Sequence, residues 1–400
     1  MTKKKTSQNV IIIMCWLLYS LAYLGRFSYN ANITLIMEDY GVNRAQAGLV
    51  ATFFFFAYGI GQVINGILSS KYNKKWIFPI ALTLSSAINI AVFFGTPFFT
   101  IKYLWFINGL LQSCLWSGVI SVISKTVDNK HMKWALVLMS TTTCVGTIAT
   151  YSASSLFVSL NNYRLSFLFG AAVMTALGII WFNIYDTGLE VYQPEQKPQS
   201  SQSVQKGRNG GVMTLMILLG FFAVLHNIVK DGLTTWMPDI LKQRYALEDS
   251  ISILSTIILP ILGIVGAIMV IKINKYIKNF VLLISLLFAV GAIGTGCIAY
   301  FVKMPVILAV FCFGAVVCMM HGINNITNSL APLKMRDRID SGKMAGIING
   351  CCYAGSTISS YGMGKIADLG GWQLVLNILF ILCIFAVVVG LLSSPLTKEE

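Results

Sequence analysis

Residues 193–211 have the sequence "QPEQKPQSSQSVQKGRNGG", a polar stretch within a chain that is otherwise strongly apolar. The chain has 400 residues, of which 56% are hydrophobic and only 11% are charged, and its mean hydropathy is +0.74. Soluble globular proteins have about 25% charged residues, so this composition indicates a membrane protein with many spans. The Gln, Ser and Gly of the polar stretch are typical of a linker between two parts.

Apolar segments long enough to cross a bilayer as helices follow one another on both sides of this linker. The predicted spans are 10–36, 46–70, 76–95, 100–124, 134–159, 164–185, 212–241, 251–272, 279–300, 305–331, 344–366 and 373–392. The predicted fold class is an all-α membrane protein with twelve transmembrane helices. They form two pseudo-symmetric six-helix halves, residues 1–185 and 212–400, joined by a cytoplasmic linker at 186–211.

The net charge of +14 is distributed as expected for membrane topology. The N-terminal segment, the linker and every second loop contain most of the Lys and Arg, which places both termini and the linker in the cytoplasm of a multi-pass plasma- or inner-membrane protein. No basic stretch is interleaved with aromatic residues on a soluble face, so a nucleic-acid partner is not expected.

The nine cysteines lie mostly in apolar runs without metal-ligand spacing, and we interpret them, including Cys351 and Cys352, as small apolar fillers. No metal or other cofactor is therefore expected. No cluster of a nucleophile with a base is visible either, so the chain is not expected to be an enzyme.

Two cations lie deep inside predicted spans, Arg26 in "AYLGRFSYNANI" (22–33) and Lys230 in "HNIVKDGLTTW" (226–236). A charge at the centre of a bilayer costs about 2.5–3.5 kcal/mol on insertion scales, so we expect each cation to have a functional or structural role that offsets this cost. They occupy equivalent positions in spans one and seven, as expected for the parallel halves of a major-facilitator carrier. We hypothesise that they clamp an anion between the halves. Two unneutralised charges in the empty carrier would then make exchange obligatory.

Asp231 directly follows Lys230 in the chain. Adjacent residues on a helix point about 100° apart, so we predict that Asp231 cannot neutralise Lys230 unless the helix bends, for example at Gly232. A structural ion pair is the alternative interpretation of Lys230. Asp231 would reduce the charge of the clamp or carry a proton.

The chain resembles the organophosphate:phosphate antiporters, which include the glycerol-3-phosphate and hexose-6-phosphate transporters. The segments that resemble this family are "YLGRFSYNANITLIMEDYGVNRAQAGL" (23–49), "YGIGQVINGILSSKYNKK" (58–75), "GLLQSCLW" (109–116), "KDGLTTWMPDIL" (230–241) and "GMGKIADLGGW" (362–372). The resemblance implies that Arg26 and Lys230 bind phosphate, although Lys230 replaces an arginine and loses its bidentate geometry.

The resemblance also implies a pocket around the two cations. The candidate substrate-binding residues, besides Arg26 and Lys230, are His321, Tyr353, Trp116, Gln112, Tyr23, Tyr58, Gln62, Thr143, His226 and Asn324. For the aromatic residues among them, packing in the core is the alternative, and His226 can equally be a buried histidine of the helix bundle. Gln62 stands where the glycerol-3-phosphate carriers have a lysine, and Thr143 replaces a histidine, so the resemblance implies a site that is less charged than in the best-known members.

The predicted function is transport of a phosphorylated organic anion, such as a sugar phosphate or glycerol phosphate, in exchange for inorganic phosphate by alternating access. One alternative is a proton- or cation-coupled carboxylate symporter, with Asp231 or a histidine carrying the proton. Another is a hexose-phosphate sensor with a transport fold. The expected partners are the small anions and the lipid bilayer, and the chain is expected to be a monomer.

Overall fold

The structure is a computed structural model that describes residues 7–68, 72–185, 209–301, 303–335 and 341–397, which are almost entirely helical. Most of the predicted linker lies outside these residues, as do Lys3, Lys4 and Lys5. The helices before the linker are α1 Gln8–Leu21, α2 Leu24–Ala31, α3 Ile33–Tyr40, α4 Arg44–Leu68, α5 Lys74–Phe93, α6 Phe98–Thr126, α7 Asn129–Ser140, α8 Thr142–Ser159 and α9 Leu165–Ile184. Those after it are α10 Asn209–Tyr245, α11 Asp249–Ser255, α12 Ile258–Ile273, α13 Phe280–Tyr300, α14 Val306–Asn325, α15 Ala331–Lys334 and α16 Ser341–Ser393.

Eleven helical stretches among the described residues are long and apolar enough to cross a membrane. The prediction of an all-α protein with many membrane spans is thereby confirmed. The last stretch, Gly346–Thr397, has 52 residues, more than twice the length that a bilayer requires. It is interrupted within α16 at Gly370 (φ −144°, ψ 18°) and Gly371 (φ 69°, ψ 179°). Glycine suits the positive φ at position 371 because it has no Cβ.

The chain folds into two compact units whose residues pack mainly among themselves. Unit 1 comprises Met1–Asn32 and Phe56–Ser201, and unit 2 comprises Ile33–Phe55 and Gln202–Glu400. Among the described residues, the division therefore falls between α2 and α3 and again inside α4. Helix α3 and the first part of α4 pack within unit 2.

The first span is broken at residues 22 and 23, and Arg26 is the third residue of the helix that follows. Helix α1 ends at Leu21 and α2 begins at Leu24. Around the break, the N–H groups of Tyr23, Gly25 and Arg26 each bond the carbonyl three residues earlier. Such 3₁₀ bonds tighten a helix, and within a span they often occur at functional positions. The break thus sets the direction in which α2 presents Arg26.

In unit 2, α10 and α16 approach each other closely where Gly355 faces Val224. A Cβ on Gly355 would lie only 2.3 Å from the Val224 carbonyl oxygen, so a larger residue there would push the two helices apart. The tenth predicted span departs from α-helical geometry at Ile326–Leu330, a π-helical turn between α14 and α15. A π-turn inside a helix frequently accompanies a functional site. The Gly355–Val224 contact and the π-helical turn both lie beside the polar residues of α10 and α16 that are described below.

Candidate functional site

Arg26 is buried in unit 1, with only 4% of its surface exposed. Its guanidinium carbon lies 4.3 Å from the ring centre of Tyr23, 5.0 Å from that of Tyr58 and 5.2 Å from that of Tyr19. Its Nε donates a hydrogen bond of 2.8 Å to Oε1 of Gln112. We call these four partners the tyrosine cage. They are neutral groups that attract a cation through ring faces and a carbonyl dipole.

The orientation of Gln112 is fixed one helical turn earlier on α6. Gln112 Nε2 donates to Asn108 Oδ1 at 3.0 Å, which leaves the Gln112 carbonyl oxygen for Arg26. Asn108 Nδ2 donates in turn to the Gly25 carbonyl at 2.9 Å. Asn108 therefore connects the cage partner of Arg26 to the backbone next to Arg26.

A second layer of predicted residues supports the cage. Gln62 Nε2 donates to the hydroxyl of Tyr58 at 2.9 Å, and the Tyr23 hydroxyl donates to Thr143 Oγ1 at 3.1 Å. The ring of Trp116 lies 4.8 Å from that of Tyr19, centre to centre. Gln62 and Thr143 thus both bond tyrosines that contact Arg26. All the predicted candidates of unit 1 belong to one connected cluster.

In unit 2, Lys230 Nζ lies 3.3 Å from Asp231 Oδ1, and their side chains are 15% and 20% exposed. The prediction that Asp231 cannot neutralise Lys230 in a straight helix is wrong. Helix α10 is continuous through both residues, and the four-carbon lysine side chain folds back to reach the neighbouring carboxylate. The 100° between the two Cβ directions constrains short side chains but not a lysine.

The second oxygen of Asp231 is held by α16. Ser356 Oγ donates to Asp231 Oδ2 at 2.5 Å, and Asn227 Nδ2, one turn before Asp231, donates to Ser356 Oγ at 3.1 Å. Ser356 has a single hydroxyl proton and two acceptors in reach, and Asp231 Oδ2 at 2.5 Å is nearer than the Cys352 carbonyl oxygen at 3.1 Å. The carboxylate is therefore anchored on the side opposite Lys230.

Beside this pair, a chain of polar groups connects three helical segments. His226 Nε2 lies 3.7 Å from Cys352 Sγ, and Asn328 Nδ2 lies 3.4 Å from the same sulfur. Asn328 Nδ2 also donates to Asn324 Oδ1 at 2.9 Å. We call these four residues the Cys352 cluster. The interpretation of Cys352 as an apolar filler is wrong, since polar groups from α10 and the π-turn converge on its sulfur.

The remaining candidates of unit 2 lie around this cluster. His226 lies one turn before Lys230 on α10, so the two side chains lie on the same face of that helix. His321 occupies space left by Gly263, where an added Cβ would lie 2.6 Å from the imidazole ring. Tyr353 is half-buried on α16 beside Cys352, and its side chain is not part of the Cys352 cluster. Within unit 2, His226 thus shares a helix face with Lys230, Asn324 belongs to the Cys352 cluster, and His321 packs against Gly263.

Sequence reasoning missed six residues of these clusters: Tyr19, Asn108, Asn227, Asn328, Cys352 and Ser356. Helical spacing could have indicated half of them. Tyr19 precedes Tyr23 by four residues, Asn108 precedes Gln112 by four, and Asn328 follows Asn324 by four, so each pair lies on one face of its helix. Ser356 has no such signal, because its partner Asp231 is on another helix.

A separate group of ion pairs, also missed, joins α3 and the start of α4 to the rest of unit 2. Arg44 Nε bonds Asp239 Oδ2 at 2.8 Å, and Trp372 Nε1 donates to the same oxygen at 2.9 Å. Asp368 accepts from the backbone N–H of Arg44 at 3.2 Å and of Ala45 at 2.8 Å, capping α4 from α16. We call these residues the Arg44 network.

Lys242 of α10 forms two further ion pairs. Lys242 Nζ bonds Glu38 Oε1 at 2.6 Å and a carboxylate oxygen of Asp249 at 2.9 Å. It links α3 to α10 and α11. Among the described residues, no group of three or more His, Cys, Asp or Glu is placed to hold a metal ion.

Comparison with known proteins agrees with the resemblance inferred from the sequence. The sugar phosphate exchanger 3 of Gallus gallus is 26% identical over 88% of this chain and 79% of its own. The membrane sensor protein UhpC of Escherichia coli is 33% identical over 26% of this chain, and that match spans only 23% of the sensor. These relatives confirm the resemblance to the organophosphate:phosphate antiporters.

The fold has a solved counterpart in a transporter. A bacterial homologue of the human lysosomal transporter Spinster superposes with a TM-score of 0.81 over 98% of both chains, at 12% identity, and so shows the fold alone. Residues 15–339 match the family model of the Major Facilitator Superfamily, which covers most of the chain. The family and this structural neighbour are transporters rather than enzymes. The chain belongs to the Major Facilitator Superfamily.

Proposed function

We propose that the protein is a carrier of a phosphorylated organic anion, which it exchanges for inorganic phosphate by alternating access. The observation that carries the proposal is the buried Arg26 in its tyrosine cage. A guanidinium presents a planar fork of donors that suits the oxygens of a phosphate, and the neutral partners of the cage do not cancel its charge. The chicken relative, named a sugar phosphate exchanger, supports a sugar phosphate as the substrate.

Lys230 is the proposed second phosphate ligand. It supplies a point charge on a flexible stem and can move from Asp231 to an anion oxygen. In this proposal, the roles of the other candidate residues differ between unit 1 and unit 2. Gln112, Trp116, Tyr23, Tyr58, Gln62 and Thr143 shape the surroundings of Arg26, and His321, Tyr353, His226 and Asn324 contact the organic part of the substrate.

The proposed architecture has twelve spans, six in each of the halves 1–185 and 212–400. The interruption of α16 at Gly370 and Gly371 supports it, because two helices on either side of this point would turn the last candidate span into two. The distribution of Lys and Arg supports cytoplasmic termini and a cytoplasmic linker. We propose a location in the plasma or inner membrane.

A sensor is the second candidate, because one relative is named a membrane sensor protein. Such a protein would bind the same phosphorylated ligand and signal its presence. Binding of hexose phosphate by the purified chain without any flux across vesicle membranes would favour the sensor.

The test is uptake of labelled glucose 6-phosphate and glycerol 3-phosphate into vesicles that contain the purified chain and are preloaded with inorganic phosphate. We expect internal phosphate to drive uptake, Arg26→Ala to abolish it, and the exposed-loop control Lys275→Ala to leave it unchanged. Uptake that ignores internal phosphate and follows an imposed pH gradient would contradict exchange and favour the proton-coupled alternative.

A further inference from the structure

The carboxylate of Asp231 is anchored by neighbouring side chains, and it lies beside the ammonium of Lys230, which is on a flexible side chain. The carboxylate is held by Ser356 Oγ at 2.5 Å through one oxygen, and its other oxygen faces Lys230 Nζ at 3.3 Å. Asn227, which is 3% exposed, bonds both Ser356 Oγ at 3.1 Å and the Cys352 carbonyl at 2.7 Å. The carboxylate thus belongs to a rigid contact between α10 and α16. Lys230 can leave it by rotating its own side chain.

This arrangement differs in charge from the tyrosine cage of unit 1. The four partners of Arg26 that form the cage are neutral groups, whereas Lys230 Nζ has a carboxylate oxygen at 3.3 Å. A partly buried cation that loses its counter-charge is destabilised, and a neutral pair avoids that cost. In the absence of substrate, the Lys230–Asp231 pair is therefore electrically neutral.

We propose that Asp231 is a built-in counter-ion that replaces phosphate on Lys230 when the carrier is empty, so that exchange is not obligatory. The inference rests on the proposed function and concerns its stoichiometry. When phosphate binds, Lys230 moves to the phosphate, and Asp231 remains on Ser356. When phosphate leaves, Lys230 returns to Asp231, and the empty carrier reorients without an anion. The protein then carries a net flux of phosphate in addition to exchange, in contrast to the obligatory exchange expected from its sequence.

The experiment compares two fluxes in vesicles that contain the full chain and are loaded with labelled inorganic phosphate. One is exchange, the loss of label into medium containing unlabelled phosphate, and the other is net efflux into phosphate-free medium. We expect both fluxes from the unchanged chain. In Asp231→Asn, which keeps the shape and the contact with Ser356, we expect the ratio of net efflux to exchange to fall at least about tenfold because the empty site retains an uncompensated cation.

Three further variants separate charge from structure. Glu248→Gln removes an exposed carboxylate of unit 2 and should leave the ratio unchanged. Asp231→Glu restores the charge and should recover part of the ratio. Ser356→Ala keeps the charge but loosens Asp231, so its ratio should lie between those of the unchanged chain and Asp231→Asn.

Each other result decides against the inference. An unchanged chain that exchanges phosphate but shows no net efflux overturns it, and so does an Asp231→Asn variant with an unaltered ratio or with both fluxes lost in parallel. Absence of both exchange and net efflux in the unchanged chain refutes the proposed function and this inference together. If the unchanged chain exchanges phosphate and Lys230→Ala does not, the proposed function is supported independently of the role of Asp231.

Discussion

The tyrosine cage stabilises the charge of Arg26 with neutral groups. The rings of Tyr19, Tyr23 and Tyr58 and the Gln112 carbonyl oxygen attract the guanidinium, and none of these four carries a formal negative charge. Under the proposed function, the cage leaves the arginine its attraction for an anion and holds the guanidinium in one orientation before the anion binds. Pre-organisation of this kind lowers the entropic cost of binding.

The first prediction concerns the geometry of this cation. Arg26→Lys keeps the charge but loses the planar fork and the Nε bond to Gln112. We expect phosphate affinity to fall about 10–100-fold, corresponding to about 1.5–3 kcal/mol for a charged hydrogen bond. Titration calorimetry of purified protein with phosphate measures the loss. Lys230→Arg is the matched control and should keep affinity, since it retains the charge in unit 2. Equal affinity of Arg26→Lys and the unchanged chain would contradict a bidentate role.

The second prediction separates the ring of Tyr58 from its hydroxyl. Tyr58→Phe keeps the ring over Arg26 but loses the bonds to Tyr19 and Gln62, and we expect a loss of stability of only about 0.5–1.5 kcal/mol with phosphate binding retained. Tyr58→Leu removes the ring as well and should weaken phosphate binding further. Thermal unfolding and phosphate titration of both variants measure these effects. A binding loss in Tyr58→Phe as large as in Tyr58→Leu would assign the role to the hydroxyl instead.

Two helical elements depart from regular geometry beside the candidate site. The 3₁₀ bonds before Arg26 and the π-turn at Ile326–Leu330 each change the direction of the polar side chains that follow or lie within them. The membrane helices could be predicted from the sequence because their apolar length decides them. The two irregularities could not, because the carbonyl that each N–H selects depends on how neighbouring helices pack. The Lys230–Asp231 pair was missed for a related reason. The helix sets the direction of the Cα–Cβ bond, but it does not determine where the ammonium at the end of a lysine side chain lies.

The third prediction concerns the attachment of α3 and α4 within unit 2. Asp239 is fully buried and accepts bonds from Arg44 and Trp372. Asp239→Ala leaves these donors unsatisfied and should lower the free energy of unfolding by about 3–5 kcal/mol. Asp368→Ala removes a more exposed cap of α4 and should cost only about 1 kcal/mol. Thermal unfolding in detergent compares the two variants, and equal losses would show that the buried carboxylate is not the main attachment.

The two compact units differ in the groups that contact the deep cation of each, Arg26 in unit 1 and Lys230 in unit 2. The sequence was sufficient to predict a membrane carrier with one deep cation before and one after the linker. It could not predict that the boundary between the units falls inside α4, because that boundary depends on which helices Ile33–Phe55 pack against. Nor could it predict that the cation of unit 2 has its own counter-charge while that of unit 1 lies in a cage of neutral groups.

The fourth prediction concerns the stabilisation of the whole folded chain by its ligands. A ligand that binds only the folded state stabilises it, by about 2.7 kcal/mol at a concentration one hundred times its Kd. We expect inorganic phosphate, sugar phosphates and glycerol phosphate to raise the unfolding temperature, and dicarboxylates to have little effect. Arg26→Ala and Lys230→Ala should lose the response to phosphate. Stabilisation by dicarboxylates alone would favour a carboxylate carrier.

The π-turn has a consequence for insertions and deletions. Its hydrogen bonds span five residues instead of four, so it accommodates one more residue than an α-helical turn over the same length. Deletion of the exposed Ser329 should therefore be absorbed by a return to α-helical bonding rather than by unfolding of the span. Sequence alignments of this chain with carriers that lack the π-turn are accordingly expected to contain a one-residue gap beside Asn328. Such a gap would mark, in a sequence alone, the carriers whose tenth span lacks this amide contact with Cys352.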